Sequence, residues 1–124
     1  MEKGSVRLSV PAEVGFARVV RMTAASLATM GELGVDDVED VRMAAEEGFV
    51  YACATAPAAC DVSFQLSGDE VRMAFSLGEQ DAEDAPDTDV DLIEALLSAV
   101  CDDYAISDDG LTLGLVKRVR PHAE

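Results

Sequence analysis

The first third of the chain changes from a strand-like to a helix-like pattern. In "SVRLSV" (residues 5–10) every second side chain is apolar, and Pro11 follows. This alternation predicts a strand with one buried face, which ends at a proline because proline lacks a backbone donor. From Ala12 to about Leu33 the apolar residues recur every three, four or seven positions. That spacing predicts an amphipathic helix.

A second helix is predicted from about Asp36 to Ala56, after the two glycines of "GELGVDD". The carboxylates of Asp36 and Asp37 would interact favourably with the positive end of the helix dipole, and we expect these residues to cap the helix. Pro57 is expected to close it. The apolar residues of this helix share one face, which consists of Val38, Val41, Ala45, Gly48 and Ala52.

Two hairpins and a third helix complete the pattern. "DVSFQL" and "EVRMAFSL" both alternate around the turn "SGD", and "DYAIS" pairs with "LTLGLVKRV" across "DDG". Between Gly78 and Asp91 acids dominate and the hydrophobic period is lost, so we expect a solvated loop there. A third helix is predicted from about Asp89 to Cys101.

The element order is therefore βααββαββ, with one apolar face on each strand and one apolar stripe on each helix. Such elements predict an α+β fold, a two-layer sandwich in which three helices cover one face of a mostly antiparallel sheet of about five strands. No linker or internal repeat divides residues 1–124, so we expect a single domain.

Charge and composition narrow the classes of function. Twenty-five acidic and nine basic residues give a net charge of −16, which argues against direct binding to nucleic acid or anionic membranes. No apolar stretch approaches the roughly 20 residues of a membrane span. The three cysteines lack CxxC spacing and His122 is the single histidine, so we expect no metal site or catalytic triad. The N-terminus has no secretory pattern, and the expected location is the cytoplasm.

The second predicted helix contains the run "AAEEGFVYA" (residues 44–52). Together with the element order, this run resembles the GHKL (histidine-kinase-like) ATPase fold, and within it the anti-sigma-factor serine kinases of bacterial partner-switching systems. Their second helix bears A-x-[ST]-E-x-x-x-N-A, in which the glutamate is a general base and the asparagine helps to hold magnesium. The resemblance puts Glu47 at the glutamate and Tyr51 at the asparagine. A register shifted by one would use Glu46 and place Val50 there, so Glu46 is expected to be a solvent-side neighbour.

The other nucleotide motifs of that family are degenerate here. A D-x-G-x-G motif should follow the first hairpin, its aspartate accepting a hydrogen bond from the adenine amino group. This chain reads "SLGEQDAED", which puts Leu77 near the aspartate, keeps Gly78 and leaves Asp81 as a displaced substitute. The glycine-rich turn before the third helix reads "DTDVDLIEAL", without a glycine. The acids of the preceding segment would repel a triphosphate, so the residues favour loss of ATP binding.

Three functions fit these observations. The first is a cytoplasmic regulator without ATP binding, which binds a sigma factor or an anti-sigma antagonist; its acidic surface suits a basic partner. The second is an active ATP-dependent serine/threonine kinase that uses ATP and Mg²⁺, with Glu47 as its base. The third is a structural homodimer or small-ligand module. The resemblance also implies a homodimer, and the first helix has small and apolar residues beyond one stripe.

Overall fold

The chain forms a five-stranded antiparallel sheet with three α-helices packed over one face, which confirms the predicted fold class. A computed structural model describes residues 2–31, 33–55, 57–67, 70–78 and 90–118. The strands are β1 (Glu2–Pro11), β2 (Ala59–Ser67), β3 (Glu70–Ser76), β4 (Asp103–Ile106) and β5 (Thr112–Arg118). The helices are α1 (Ala17–Met30), α2 (Val35–Ala54) and α3 (Val90–Val100), and a 3-10 turn covers Val14–Phe16.

The sheet has the order β1-β2-β3-β5-β4, and each neighbouring pair of strands is antiparallel. Because β5 rather than β4 lies beside β3, the chain leaves the centre of the sheet after β3, forms α3 and returns at the outer edge. The predicted alternation is confirmed, since every second residue of the central strands is buried: Val62, Phe64, Leu66, Val71, Met73, Phe75, Leu113 and Leu115.

The middle helix α2 lies directly against the centre of the sheet. Phe49 is fully buried. At Gly48 a Cβ atom would lie only 2.6 Å from Cε1 of Phe75 and 3.1 Å from Cδ1 of Leu115. Glycine therefore lets the helix approach β3 and β5 this closely. Beside α2 and over the same face of the sheet, α1 packs through mostly small residues: its buried positions are Ala17, Val20, Ala24 and Ala28.

The helix boundaries differ from those predicted. α1 begins at Ala17 instead of Ala12, because a bend at residues 12 and 13 and the 3-10 turn Val14–Phe16 precede it. Gly34 is the N-cap of α2 and no side chain caps it, so Asp36 and Asp37 lie in the first turn without capping it. No helix in the described ranges is long and apolar enough to span a membrane.

Candidate functional site

The two adjacent carboxylates of α2 have different surroundings. Nη1 of Arg21 on α1 donates to Oε1 of Glu46 at 3.2 Å, and the two side chains are 27% and 36% exposed. Glu46 is therefore a partly exposed neighbour of Glu47, with an ion-pair partner that the sequence did not predict. Glu46 lies on the flank of α2 that meets α1, where its charge is balanced by an arginine 25 residues earlier in the chain.

Glu47 is half-buried and makes no hydrogen bond or ion pair with any residue that the structure describes. Partial burial raises the pKa of its carboxyl group, and the neighbouring charge of Glu46 raises it further. Both effects disfavour the charged form. Glu47 is thus a carboxylate with an elevated affinity for a proton and no described partner to hold it in one orientation.

Tyr51 shares a flank of α2 with Glu47. The spacing of four, three and four residues places Asp40, Ala44, Glu47 and Tyr51 in one column along the helix. At one end of this column Nζ of Lys117 on β5 lies 3.0 Å from Oδ2 of Asp40. At the other end Tyr51 is half-buried and packs against the hydrophobic core.

The segment that follows β3 is fixed to the end of α2. The Leu77 side chain is only 6% exposed and belongs to the core, while its backbone N–H donates to the carbonyl oxygen of Leu111 at 2.8 Å. The N–H of buried Gly78 donates to Oγ1 of Thr55 at 2.8 Å, and that hydroxyl donates to the carbonyl oxygen of Ala52 at 2.7 Å. Sequence reasoning missed Thr55. A hydroxyl residue in the last turn of a predicted helix can bond to a nearby backbone carbonyl group, but this position does not identify a partner elsewhere in the chain.

In the family that this chain resembles, an ATP–magnesium site needs particular hydrogen-bonding groups and metal ligands at these positions. Leu77 offers no acceptor for an adenine amino group, and Tyr51 offers a phenol where an amide oxygen would meet the metal. The N–H of Gly78 is already bonded to Thr55. Asp81 and most of the predicted acidic loop lie outside the described residues. The described donor set therefore does not fit such a site, although Glu47 supplies a carboxylate at the position that the resemblance gives to a general base.

The three thiols have raised pKa values. Cys60 is buried, while Cys53 and Cys101 are half-buried. Burial raises the pKa of Cys53 and of Cys101 to about 11, and it also raises that of Cys60. At neutral pH all three are protonated, and a protonated thiol is a poor nucleophile or metal ligand. They act as small apolar residues in and around the core.

Comparison with known proteins supports the architecture. The chain is similar in fold to the crystal structure of the RsbU and RsbW domains of Rv1364c from Mycobacterium tuberculosis, with a TM-score of 0.74 and 19% sequence identity. The match covers 96% of this chain and 34% of that one, so this chain spans about a third of its length. No protein-family model matches the sequence, and no curated protein matches it significantly. The arrangement predicted from the hydrophobic pattern is thus one that an experimentally determined protein also adopts.

Proposed function

We propose that this protein is a regulator of the anti-sigma type that acts by binding a protein partner and does not bind ATP. The observation that carries the proposal is the burial of Leu77, which lies near the position where the kinases that this chain resembles have the aspartate that recognises adenine. The similarity in fold to a structure with an RsbW domain supports the regulatory part of the proposal.

Adenine recognition would require a hydrogen-bond acceptor at the end of β3. The side chain of Leu77 packs into the core, and backbone hydrogen bonds hold both Leu77 and Gly78 in place. A polar adenine edge brought against this segment would lose its hydrogen bonds to water without replacement, which costs about 1–3 kcal/mol for each unpaired group. Such a penalty weakens binding by roughly one to two orders of magnitude.

Magnesium coordination is similarly disfavoured at Tyr51. Mg²⁺ prefers carboxylate, amide or water oxygens in near-octahedral geometry, whereas a neutral phenol is a weak ligand. Tyr51 is also half-buried against the core, so a rearrangement that freed this position would expose apolar surface. Without the metal, the acids of this chain would repel the triphosphate directly.

A protein partner fits the charge of the molecule. With a net charge of −16, the chain would attract a basic partner at long range and accelerate the encounter. We propose a sigma factor, whose DNA-binding surface is basic, or an antagonist that competes with it. The interaction with a sigma factor should weaken as the salt concentration rises.

The central test is isothermal titration calorimetry with ATP and Mg²⁺, with an active anti-sigma kinase as the positive control in the same buffer. We expect no saturable heat from this protein. Micromolar binding would overturn the proposal. A second titration, with the sigma factor and the antagonist encoded by neighbouring genes, should show saturable binding to one of them. If neither protein binds, the proposal that this protein is a regulator of the anti-sigma type is wrong.

An active kinase is the second candidate, favoured by Glu47. Its half-buried carboxylate has a raised pKa and no described partner, as a general base would require. This candidate predicts transfer of labelled phosphate from ATP to a serine or threonine of the antagonist. Glu47→Gln should abolish the transfer, whereas Glu46→Gln, at the adjacent carboxylate paired with Arg21, should retain most of it.

A further inference from the structure

In the described part of the chain, β1 pairs with β2 alone and forms one edge of the sheet. Its pairing is continuous from Gly4 to Pro11, whereas β4 at the opposite edge has only four residues. Natural proteins usually shorten or interrupt their edge strands, because a long free edge presents unpaired backbone groups to other strands. In β1 the register is irregular only at the start, between Glu2 and Gly4, and the proline is at the end. The middle of this edge is therefore unprotected.

The ladder of the sheet shows which backbone groups of β1 point outwards. The N–H of Asp61 on β2 donates to the side chain of Ser76 on β3. The bonding direction alternates along an antiparallel strand, so the even-numbered residues of β2 bond to β1. Their partners in β1 are also even-numbered, as in the pair of Leu8 with Val62. The N–H and C=O groups that point away from the sheet therefore belong to Ser5, Arg7 and Ser9.

These outward groups have no hydrogen-bond partner among the residues that the structure describes. Pro11 continues the same alternation, and a proline at this position fits a free edge because it has no N–H to leave unpaired. The side chain of Arg7 is exposed, and it forms no ion pair within the described ranges. The edge thus offers backbone donors and acceptors together with one unpaired positive charge.

The side of β1 that faces the helices is incompletely covered. α1 packs over β2, where Val62 and Phe64 are each only 1% exposed. The neighbouring apolar side chains of β1, Val6 and Leu8, contact the core but remain half-buried. A strand added beside β1 would place its own apolar side chains next to Val6 and Leu8 and would complete this cover.

We propose that the edge of β1 binds an extended segment of another protein, which joins the sheet as an additional antiparallel strand. Main-chain hydrogen bonds to Ser5, Arg7 and Ser9 hold the segment, and its alternating side chains give specificity. Its apolar residues meet Val6 and Leu8 on the helix side. A carboxylate on the other side meets Arg7, and such a cross-strand pair strengthens binding about twofold to fivefold. This site goes beyond the proposed function, because it requires neither a basic partner nor the loss of ATP binding.

A second copy of this chain fits the edge poorly. Antiparallel pairing of β1 with itself about its central outward residue would oppose the two Arg7 side chains, and like charges directly opposite each other are destabilising. Two chains that each have a net charge of −16 also repel each other at long range. The segment therefore comes from a different protein and has a carboxylate opposite Arg7.

A synthetic heptapeptide tests this mode of binding in the full-length protein. It has blocked ends, valine at every odd position, threonine at the second and sixth positions and glutamate at the fourth. In an NMR titration of the isotope-labelled protein, the N–H signals of Arg7 and Ser9 should shift. The dissociation constant should be on the order of 0.1 mM, since one short strand buries less area than a standard interface. No saturable shift at millimolar peptide would overturn the proposal.

Two N-methylated forms of the peptide are the matched controls. In the added antiparallel strand, the N–H of the central glutamate points towards β1 and that of the preceding valine points away. N-methylation of the glutamate should abolish binding, whereas N-methylation of the valine should retain most of it. Equal effects would show that the peptide does not add to the sheet as this strand, and the proposal would be wrong.

A charge reversal tests the role of Arg7. Arg7→Glu should weaken binding of the glutamate peptide about twofold to fivefold and should favour a peptide with lysine at the fourth position. Circular dichroism should be unchanged, because the replaced side chain is exposed. If Arg7→Glu leaves the preference for the glutamate peptide unaltered, the carboxylate does not meet Arg7 and the proposed partner chemistry is wrong.

Amide hydrogen exchange of the free protein tests the edge itself. The N–H groups of Arg7 and Ser9 should exchange rapidly, and those of Val6 and Leu8, which bond to β2, should exchange slowly. Protection of Arg7 and Ser9 in the free protein would overturn the proposal, because the edge would already be paired with a second copy or with another part of the chain. None of these measurements involves ATP or a sigma factor, so their failure leaves the proposed function intact.

Discussion

The N–H of Gly78 donates to the hydroxyl of Thr55 across 2.8 Å, although 23 residues separate the two in the chain. Thr55 is only 4% exposed, and its hydroxyl donates in turn to the carbonyl oxygen of Ala52. One buried oxygen therefore connects the last turn of α2 to the residue that follows Leu77. This connection holds the segment that follows β3 against the end of α2.

Replacing Thr55 with valine should lower the free energy of unfolding by about 1–3 kcal/mol. Valine keeps the shape of threonine but leaves the N–H of Gly78 buried without an acceptor. Urea denaturation measures the change. Thr55→Ser is the control: it keeps the hydroxyl and loses one methyl group, so it should cost about 0.8 kcal/mol. If the valine variant is as stable as the wild type, the hydrogen bond does not hold this segment.

Gly48→Ala should also destabilise the protein, by about 1–3 kcal/mol. In a helix, alanine is more favourable than glycine by about 1 kcal/mol. A loss of stability would therefore show that the steric clash outweighs helix propensity, and a gain would show the reverse. The new Cβ atom would lie 2.6 Å from the ring of Phe75, which is itself fully buried and cannot move away freely. Thermal or urea unfolding gives the value.

Gly114→Ala is the matched control for this substitution. At Gly114 the nearest atom to a new Cβ would be the carbonyl oxygen of Ala105 at 3.8 Å, an ordinary contact. This variant should be neutral or slightly more stable. A stabilised Gly48→Ala variant would show that α2 can shift away from the sheet at little cost.

The fold was predictable from the sequence because the spacing of apolar residues changes clearly between the two-residue period of a strand and the 3.6-residue period of a helix. The buried alternation of β2 and β3 follows directly from Val62 to Leu66 and from Val71 to Phe75. The helix starts were less predictable, since a 3-10 turn and an α-helix share nearly the same local spacing. Gly34 serves as the N-cap of α2 without a side-chain hydrogen bond, so the nearby aspartates were a misleading signal.

The site was predictable only in part, because its decisive contacts are between distant parts of the chain. The helical spacing of Glu47 and Tyr51 is a local property, so the sequence predicted it. The pairing of Glu46 with Arg21 depends on how α1 and α2 pack, and no local pattern contains that information. The same holds for Thr55, whose partner at Gly78 is brought close by the folding of β2 and β3.

The half-buried ion pair between Lys117 and Asp40 should contribute more than an exposed pair. Nζ of Lys117 is 3.0 Å from Asp40 and 3.9 Å from Asp37, and the lysine side chain is 15% exposed. A double-mutant cycle with Lys117→Met and Asp40→Asn should give a coupling energy of about 1 kcal/mol, at the upper end for exposed pairs.

The Arg42–Glu39 pair is the internal reference for that cycle. Both of its side chains are more exposed, at 37% and 52%, and lie one turn apart on α2. Its coupling should be about 0.2–0.5 kcal/mol and should disappear in high salt. Equal coupling energies for the two pairs would show that partial burial does not strengthen the interaction of Lys117.

Glu47→Gln should stabilise the protein at neutral pH and have little effect in acid. The pKa of Glu47 is raised from its ordinary value of 4.5, chiefly by burial and then by Glu46. Well below pH 4.5 the carboxyl group is largely neutral in the folded and the unfolded chain, so it does not bias folding. As the pH rises through the raised pKa, the folded chain must hold a partly buried charge, and stability falls because the folded state binds more protons than the unfolded state. The difference in unfolding free energy between Glu47→Gln and the wild type should therefore grow from near zero in acid to a plateau at neutral pH. Glu94→Gln, which removes an exposed charge from α3, is the control for general charge repulsion and should give a smaller change. Equal curves for the two variants would show that the surroundings of Glu47 do not disfavour its charged form.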